Sequence, residues 1–192
     1  MESIDCFVRI FDDEDAPNMI RRGMTMAVVA RWEMQKDVNL HFITNRKFST
    51  YPNQIVIPPA YFHIESKRIA EQEASTPIYI VADDDCLIIG EQFVKIGLAL
   101  MENRDYGIIA AHNITEGPHP IEPIRECHSV GGVLFVRKGI LSEFDRCSPQ
   151  QVDGVIYDEM RSKGYRSGIA QGARFNHLGA RYSLVTPGYW NA

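Results

Sequence analysis

Residues 65–88 read ESKRIAEQEASTPIYIVADDDCLI, and the fold is decided there. Ile69, Ala70 and Ala74 recur on one side while Lys67, Arg68, Glu71 and Glu73 fall on a more exposed one, which predicts a helix over residues 61–75. At Thr76-Pro77 the chain turns into an apolar strand, residues 78–82, which stops at Asp83, Asp84 and Asp85. Ligands of open α/β sheets bind beyond the carboxyl ends of strands, so this acidic run stands where chemistry is done. Adjacent carboxylates repel one another, and a divalent cation with oxygen ligands relieves the repulsion. Side chains at i and i+2 of an extended segment point the same way, so Asp83 and Asp85 can share one ion. From spacing alone, a solvated acidic turn explains the same residues equally well.

Working outward, residues 4–11 read as a strand and residues 18–35 as a helix entered at Pro17. Strands follow at 38–44 and 54–57, the second broken by Pro58-Pro59. Beyond the aspartates come a helix over 91–102, a strand over 106–112, and a loop over 113–127 holding Pro118, Pro120 and Pro123. Gly131-Gly132 opens a strand over 130–137, residues 152–163 form a helix ended by Gly164, and short strands cover 166–170 and 174–176. Strands alternate with helices through residue 112, which implies an α/β fold with a mainly parallel, mixed sheet flanked by helices.

The chain has 192 residues, the size of one domain of roughly 100–200 residues, and no internal repeat. Apolar residues make up 45% and charged residues 23%, as in soluble globular proteins. Twenty basic against 25 acidic side chains leave a net charge of −5, which argues against nucleic acid as a partner. The apolar runs 78–82 and 130–136 fall far short of the roughly 20 residues a transmembrane helix needs. The start, MESIDCFVRIFDDED, lacks the basic and apolar regions of a signal peptide, so a cytoplasmic location is expected. Cys6, Cys86, Cys127 and Cys147 are scattered without a CxxC pair and read as reduced thiols. His112, His119 and His128 have spacings that suit no compact zinc site and read as loop or acceptor-side residues.

With these motifs in order, the chain resembles the GT-A glycosyltransferases, especially the inverting family 2 type, from the first strand to about Gly179. Residues 65–88 look like that family's helix, strand and DxD motif, with Asp83 and Asp85 at its fixed positions. SVGGVLFVRKG resembles the glycine-bearing strand near the donor sugar, with Gly131 and Gly132; close backbone packing explains that pair as well. QVDGVIYDEMRSKGYR resembles the segment carrying the catalytic acid, and FNHLG the C-terminal histidine motif. The resemblance implies one catalytic domain over 1–192, with a nucleotide-binding half at 1–112 and an acceptor-side half and tail at 113–192.

It further implies metal ligands at Asp83, Asp85 and His177, with Mn²⁺ or Mg²⁺ as the ion. The nucleotide sugar, a UDP-hexose such as UDP-glucose, is expected against Arg9, Phe11, Asp13, Thr44, Asn45, Arg68, Asp83, Asp84, Gly131 and Gly132. Asp153 is the expected base, with Asp158 the alternative because Val152 stands where the family usually has an acid. The implied activity is metal-dependent hexose transfer to an unknown saccharide, lipid or protein hydroxyl, probed through the loop at 113–127, the aromatic tail with Tyr182, Tyr189 and Trp190, or a partner subunit of a homo-oligomer. Two alternatives stand beside it. A nucleotidyltransferase acting on a sugar phosphate would need to hold a triphosphate beside the acidic FDDEDAPN segment; a non-catalytic nucleotide-sugar or carbohydrate-binding protein would keep the fold without turnover. A phosphatase of the haloacid-dehalogenase type has its DxD near the chain start, which residues 83–85 do not match.

Overall fold

The computed structural model describes residues 3–11, 19–59, 62–115, 122–127, 131–141 and 152–179. Strand β1 (Ile4–Ile10) is buried along its whole length, as a strand covered on both faces must be. Its alternate residues serve two layers. Ile4, Cys6, Val8 and Ile10 pack with Val28, Val29 and Trp32 of α1 (Met19–Glu33) and Phe93, Val94 and Met101 of α3 (Phe93–Met101). Phe7 lies in the opposite layer, with Phe62, Ile64 and Ala70 of α2 (Phe62–Glu73) and Ile156, Tyr157 and Met160 of α4 (Val152–Ser162).

The polar residues between these apolar ones are spent at the strand's two ends. Asp5 accepts hydrogen bonds from Ser75 N (2.6 Å), Ser75 Oγ (2.7 Å) and Thr76 N (3.2 Å), fixing the turn that leads into the next parallel strand. Burial works to raise the Asp5 carboxyl, but the Ser75, His41 and Asn39 hydrogen bonds outweigh it and hold the value at about 2. That stabilisation is present above the ordinary value of 3.8 and is lost as pH falls toward 2. Arg9, at the other end, belongs to the site described below.

The sheet runs parallel over β3 (Gln54–Val56), β2 (Val38–Thr44), β1 and β4 (Ile78–Asp83). Ile10 lies opposite Thr44 and Arg9 opposite Asp83, so these strands end on one rim. β8 (Val133–Arg137) then runs antiparallel between β4 and β6 (Tyr106–Asn113), and β6 pairs in parallel with β9 (Arg166–His177). β5 (Cys86–Ile89) and β7 (Ile124–Glu126) add antiparallel to β9. The carboxyl ends of β1, β4, β6 and β9 therefore share the rim.

Several local expectations are corrected. The strand expected over 78–82 includes Asp83, and Asp84 and Asp85 form a tight turn into a strand not expected from sequence, β5. Strand β7 lies inside the expected loop 113–127, and the two short strands expected after Arg166 are one strand, bulged between Ala170 and Arg174 where its register on β6 shifts. Lys67 and Glu71 are buried, each only 3% exposed, rather than on the solvent face of α2. Glu71 accepts from Tyr79 Oη (2.8 Å), Leu141 N (3.1 Å) and Gly139 N, so the carboxylate is solvated by the protein.

Gly97 on α3 is dictated by packing. The Phe135 ring, which neighbours Phe93 at 5.6 Å between centroids, occupies the space a Cβ would need. Alanine ordinarily strengthens a helix by about 1 kcal/mol over glycine, but overpacking a filled core costs about 1–3 kcal/mol. Gly97→Ala is therefore expected to lower the melting temperature, and an unchanged or raised value in a thermal melt would contradict this packing.

Candidate functional site

The alternation along β4 distributes the three aspartates. Tyr79 and Val81 lie in the α2/α4 layer and Ile80 and Ala82 in the α1/α3 layer. Asp83 continues the first set and pairs with Arg9, whose Nη1 also donates to Ser66 Oγ of α2 at 3.2 Å. Asp84 continues the second set and meets α1, accepting from Arg21 Nη2 and Thr25 Oγ1, both at 3.3 Å. The turn then carries Asp85 to β9. Leu178 N donates to Asp85 O at 2.8 Å, and His177 Nε2 lies 3.1 Å from Asp85 Oδ2.

These groups face a cleft of about 390 Å³ over the sheet rim, bounded also by Phe11, Phe62, Ala111, His112, Asn113, Arg125, Ile169 and Phe175. Gly131 and Gly132 form its floor between β4 and β9. Gly132 O accepts from Asp83 N at 3.0 Å, and Gly132 adopts a φ of 84°. A Cβ there would lie 2.6 Å from Phe175 Cζ and 3.1 Å from Cys86 Sγ, so the position takes only glycine without displacing the cleft wall. Phe11 and Phe62 meet edge to face, 5.3 Å between centroids, at the β1 end.

The electrostatics differ at each aspartate. Burial works to raise the Asp83 carboxyl, but the Arg9 and Lys67 cations hold it below the usual range. Burial pushes the Asp84 carboxyl up against the opposing Arg21 cation, and Asp85 and Asp83 add to the rise, placing it at about 7. Burial and then Asp85 keep the Cys86 thiol protonated far above neutral pH. Asp85, Cys86 and His177 bring ligand atoms within 4.8 Å of one another. The carboxylate and imidazole suit a divalent ion of the Mn²⁺ or Zn²⁺ type, and Cys86 Sγ sits 3.6 Å from Asp85 Oδ1 as a donor.

The Asp84 value carries a stability consequence. Folded, the carboxyl holds a proton that the unfolded chain has already lost, so stability falls as pH rises from about 4 to about 7. Asp84→Asn imitates the protonated acid. In metal-free buffer it is expected to melt at least about 3 °C above the parent at pH 8, with a smaller difference at pH 5; equal melting points at both pH values would refute the assignment.

Of the residues singled out from sequence, Arg9, Phe11, Asp83, Asp84, Asp85, Gly131, Gly132 and His177 gather around this cleft, as does His112, which lies in strand β6 and not in a loop. Thr44 does not reach it: the side chain is fully buried, its hydroxyl 3.4 Å from Gln54 Oε1. Asn45 lies just past β2, where its N–H donates to Ile10 O at 3.3 Å, and Arg68 pairs with Glu65 at 3.5 Å on α2. Asp158 is 82% exposed on α4 and pairs with Arg161 at 3.6 Å, away from the cleft lining. Asp13, His119, His128, Cys147, Tyr182, Tyr189, Trp190 and the side chain of Asp153 lie outside the described residues. Arg21, Phe62, Asn113, Arg125 and Phe175 line the cleft without having been singled out; for Asn113 alone a signal existed, as the polar residue closing the apolar strand before the proline-bearing loop.

No protein-family model matches the sequence, and no curated protein does. Solved structures do. S. aureus TarS residues 1–349 superposes with a TM-score of 0.63 at 9% identity, over 92% of this chain and 60% of that one. The same fragment in complex with UDP-GlcNAc gives 0.64 at 10% identity, over 90% and 57%. CMP:2-keto-3-deoxy-manno-octonic acid synthetase complexed with CTP gives 0.62 at 10% identity, over 96% of this chain and 97% of that one. The chain thus spans about three fifths of the TarS fragment and nearly all of the synthetase. Its fold is GT-A-like, a Rossmann-like mixed α/β sheet flanked by helices. It shares this architecture with a protein solved in complex with UDP-GlcNAc and with a synthetase complexed with CTP. No helix among the described residues is long and apolar enough to cross a membrane.

Proposed function

We propose that this chain transfers a hexose from a UDP-sugar to an acceptor hydroxyl, with inversion and with Mn²⁺, or Mg²⁺ in its place, held by Asp85 and His177. The observation that carries this reading is the closure of Asp85 on His177 at 3.1 Å, made by residues far apart in sequence and facing the same cleft as the Arg9–Asp83 pair. A carboxylate and an imidazole that meet in such a cleft form an open site for a divalent ion rather than a closed structural one. A bound divalent ion supplies Lewis-acid stabilisation of the charge on a departing diphosphate. Phe11 and Arg9 border the nucleotide end of the cleft. Gly132 lets the donor approach the backbone, and Asp153 in the first turn of α4 takes the acceptor proton. Cys6 and Cys86, buried and outside any disulfide, support a reducing, cytoplasmic setting.

The test is a thermal-shift screen of nucleotide sugars with and without Mn²⁺, followed by assay of UDP release. A ligand at 100 times its Kd raises stability by about 2.7 kcal/mol, so UDP-sugars are expected to raise the melting temperature only with the metal present. No shift and no hydrolysis with any UDP-sugar would defeat the proposal. The size match to the CTP-bound synthetase favours one second reading, nucleotidyl transfer to a sugar phosphate. Pyrophosphate release from CTP or UTP, in place of UDP release, would establish it.

A further inference from the structure

Three arginines line the cleft, and the fold uses two of them internally. Arg9 is bound to Asp83 and Ser66, and Arg21 to Asp84. Arg125 has no carboxylate or hydrogen-bond acceptor on its guanidinium among the described residues. Its neighbour Glu126 points to the other face of β7 and is taken by Arg166. The cleft's three aspartates each have a cationic or imidazole partner in Arg9, Arg21 and His177, so Arg125, with no counter-ion among the described residues, is available to an incoming anion.

Its location separates that anion from the leaving diphosphate. Arg125 pairs with Ile169 on β9, which lies opposite Ala110 on β6, whereas Phe175, two residues before His177, lies opposite Asn113. Three register steps on β6 plus two residues of β9 make five strand positions between Arg125 and His177, or about 16 Å at roughly 3.3 Å per residue. Ile169 packs in the layer of α4, whose first turn contains Asp153. Arg125 thus enters the cleft on the side where an acceptor must present its hydroxyl, away from the Asp85–His177 pair.

We infer that the acceptor is an anionic alcohol, bearing a phosphate ester or a carboxylate, and that Arg125 binds its negative group. This inference rests on the transferase reading. Guanidinium is suited to either anion because its N–H groups match the two oxygens of carboxylate or phosphate.

The experiment uses the full chain loaded with UDP and Mn²⁺, titrated calorimetrically with glycerol phosphate and glucuronate and, as neutral counterparts, glycerol and glucose. The charged probes are expected to bind at least tenfold more tightly, with the stronger of the two identifying phosphate or carboxylate. Arg125→Gln is expected to reduce the preference to less than about threefold, and Arg125→Lys to keep part of it. Arg125 is exposed, so the variants should retain the parent's melting temperature, which serves as the folding control. Equal binding of charged and neutral probes overturns the inference. So does an Arg125→Gln variant that keeps the preference, or one whose loss falls on UDP affinity instead, which would assign the cation to the diphosphate. A chain that binds no UDP defeats the transferase reading separately, and the Arg125 preference is then read on the nucleotide-free protein.

Discussion

Asp85→Ala is expected to lower turnover of a UDP-sugar by 10²–10³-fold, equivalent to about 2.7–4 kcal/mol of lost transition-state stabilisation. The side chain is only 9% exposed and its Oδ2 lies 3.1 Å from His177 Nε2, so truncation removes one of two convergent donors. The backbone bond from Leu178 N to Asp85 O does not depend on the side chain, so β5 and β9 stay joined and the variant folds. His177→Ala is expected to cost a similar factor, and the double variant little more than either single one, because both residues serve one ion. The check is kcat at saturating donor over a Mn²⁺ titration, with the apparent metal affinity falling in both variants. Retained turnover in Asp85→Ala would show that this pair holds no functional metal.

How the site could be read from sequence follows from the distance over which each contact is made. Arg9, Asp83 and Asp84 are governed by strand alternation, a local property, and the helix–strand order placed them on the correct rim. The expectation that Asp83 and Asp85 point alike was a flat-strand argument, and the turn at Asp84-Asp85 breaks it. Asp83 is drawn to Arg9 and Asp85 to His177, so the two carboxylates have different partners. His177 meets Asp85 across 92 positions of sequence, through the pairing of β5 with β9. Nothing local announces that pairing: CLII after three acids is too short to distinguish from the end of a loop, and motif order alone singled out the histidine.

The buried polar residues were the least legible. Lys67 and Glu71 occupy helix positions that hydrophobic spacing assigns to solvent, yet Asp83 and the Gly139–Leu141 segment solvate them from within. Thr44 closes β2 at the rim, as a nucleotide contact would, but Gln54 on the neighbouring strand β3 turns its hydroxyl inward. Arg125 sits on a strand of three residues inside an apparent loop, and only the register with β9 shows that it enters the cleft.

The base assignment leads to the other large effect, and the helix geometry makes it a sharp one. Five residues of α-helix turn the chain by about 140° beyond a full revolution, so positions 153 and 158 fall on different faces of α4. Asp158 lies on the solvent side with Arg161 three residues on, a pair that screening by water renders energetically slight. Asp153→Asn is therefore expected to lower kcat for transfer by 10²–10⁴-fold, the range for loss of a positioned base, with the KM for the donor nearly unchanged. Asp158→Asn is expected to stay within twofold of the parent. Because proton removal fails while donor binding persists, Asp153→Asn should still show the Mn²⁺-dependent thermal shift with UDP-sugar. Steady-state rates of the two variants decide the matter: a large loss in Asp158→Asn with Asp153→Asn active would move the base one turn along α4 and require the acceptor to approach from the helix's outer face.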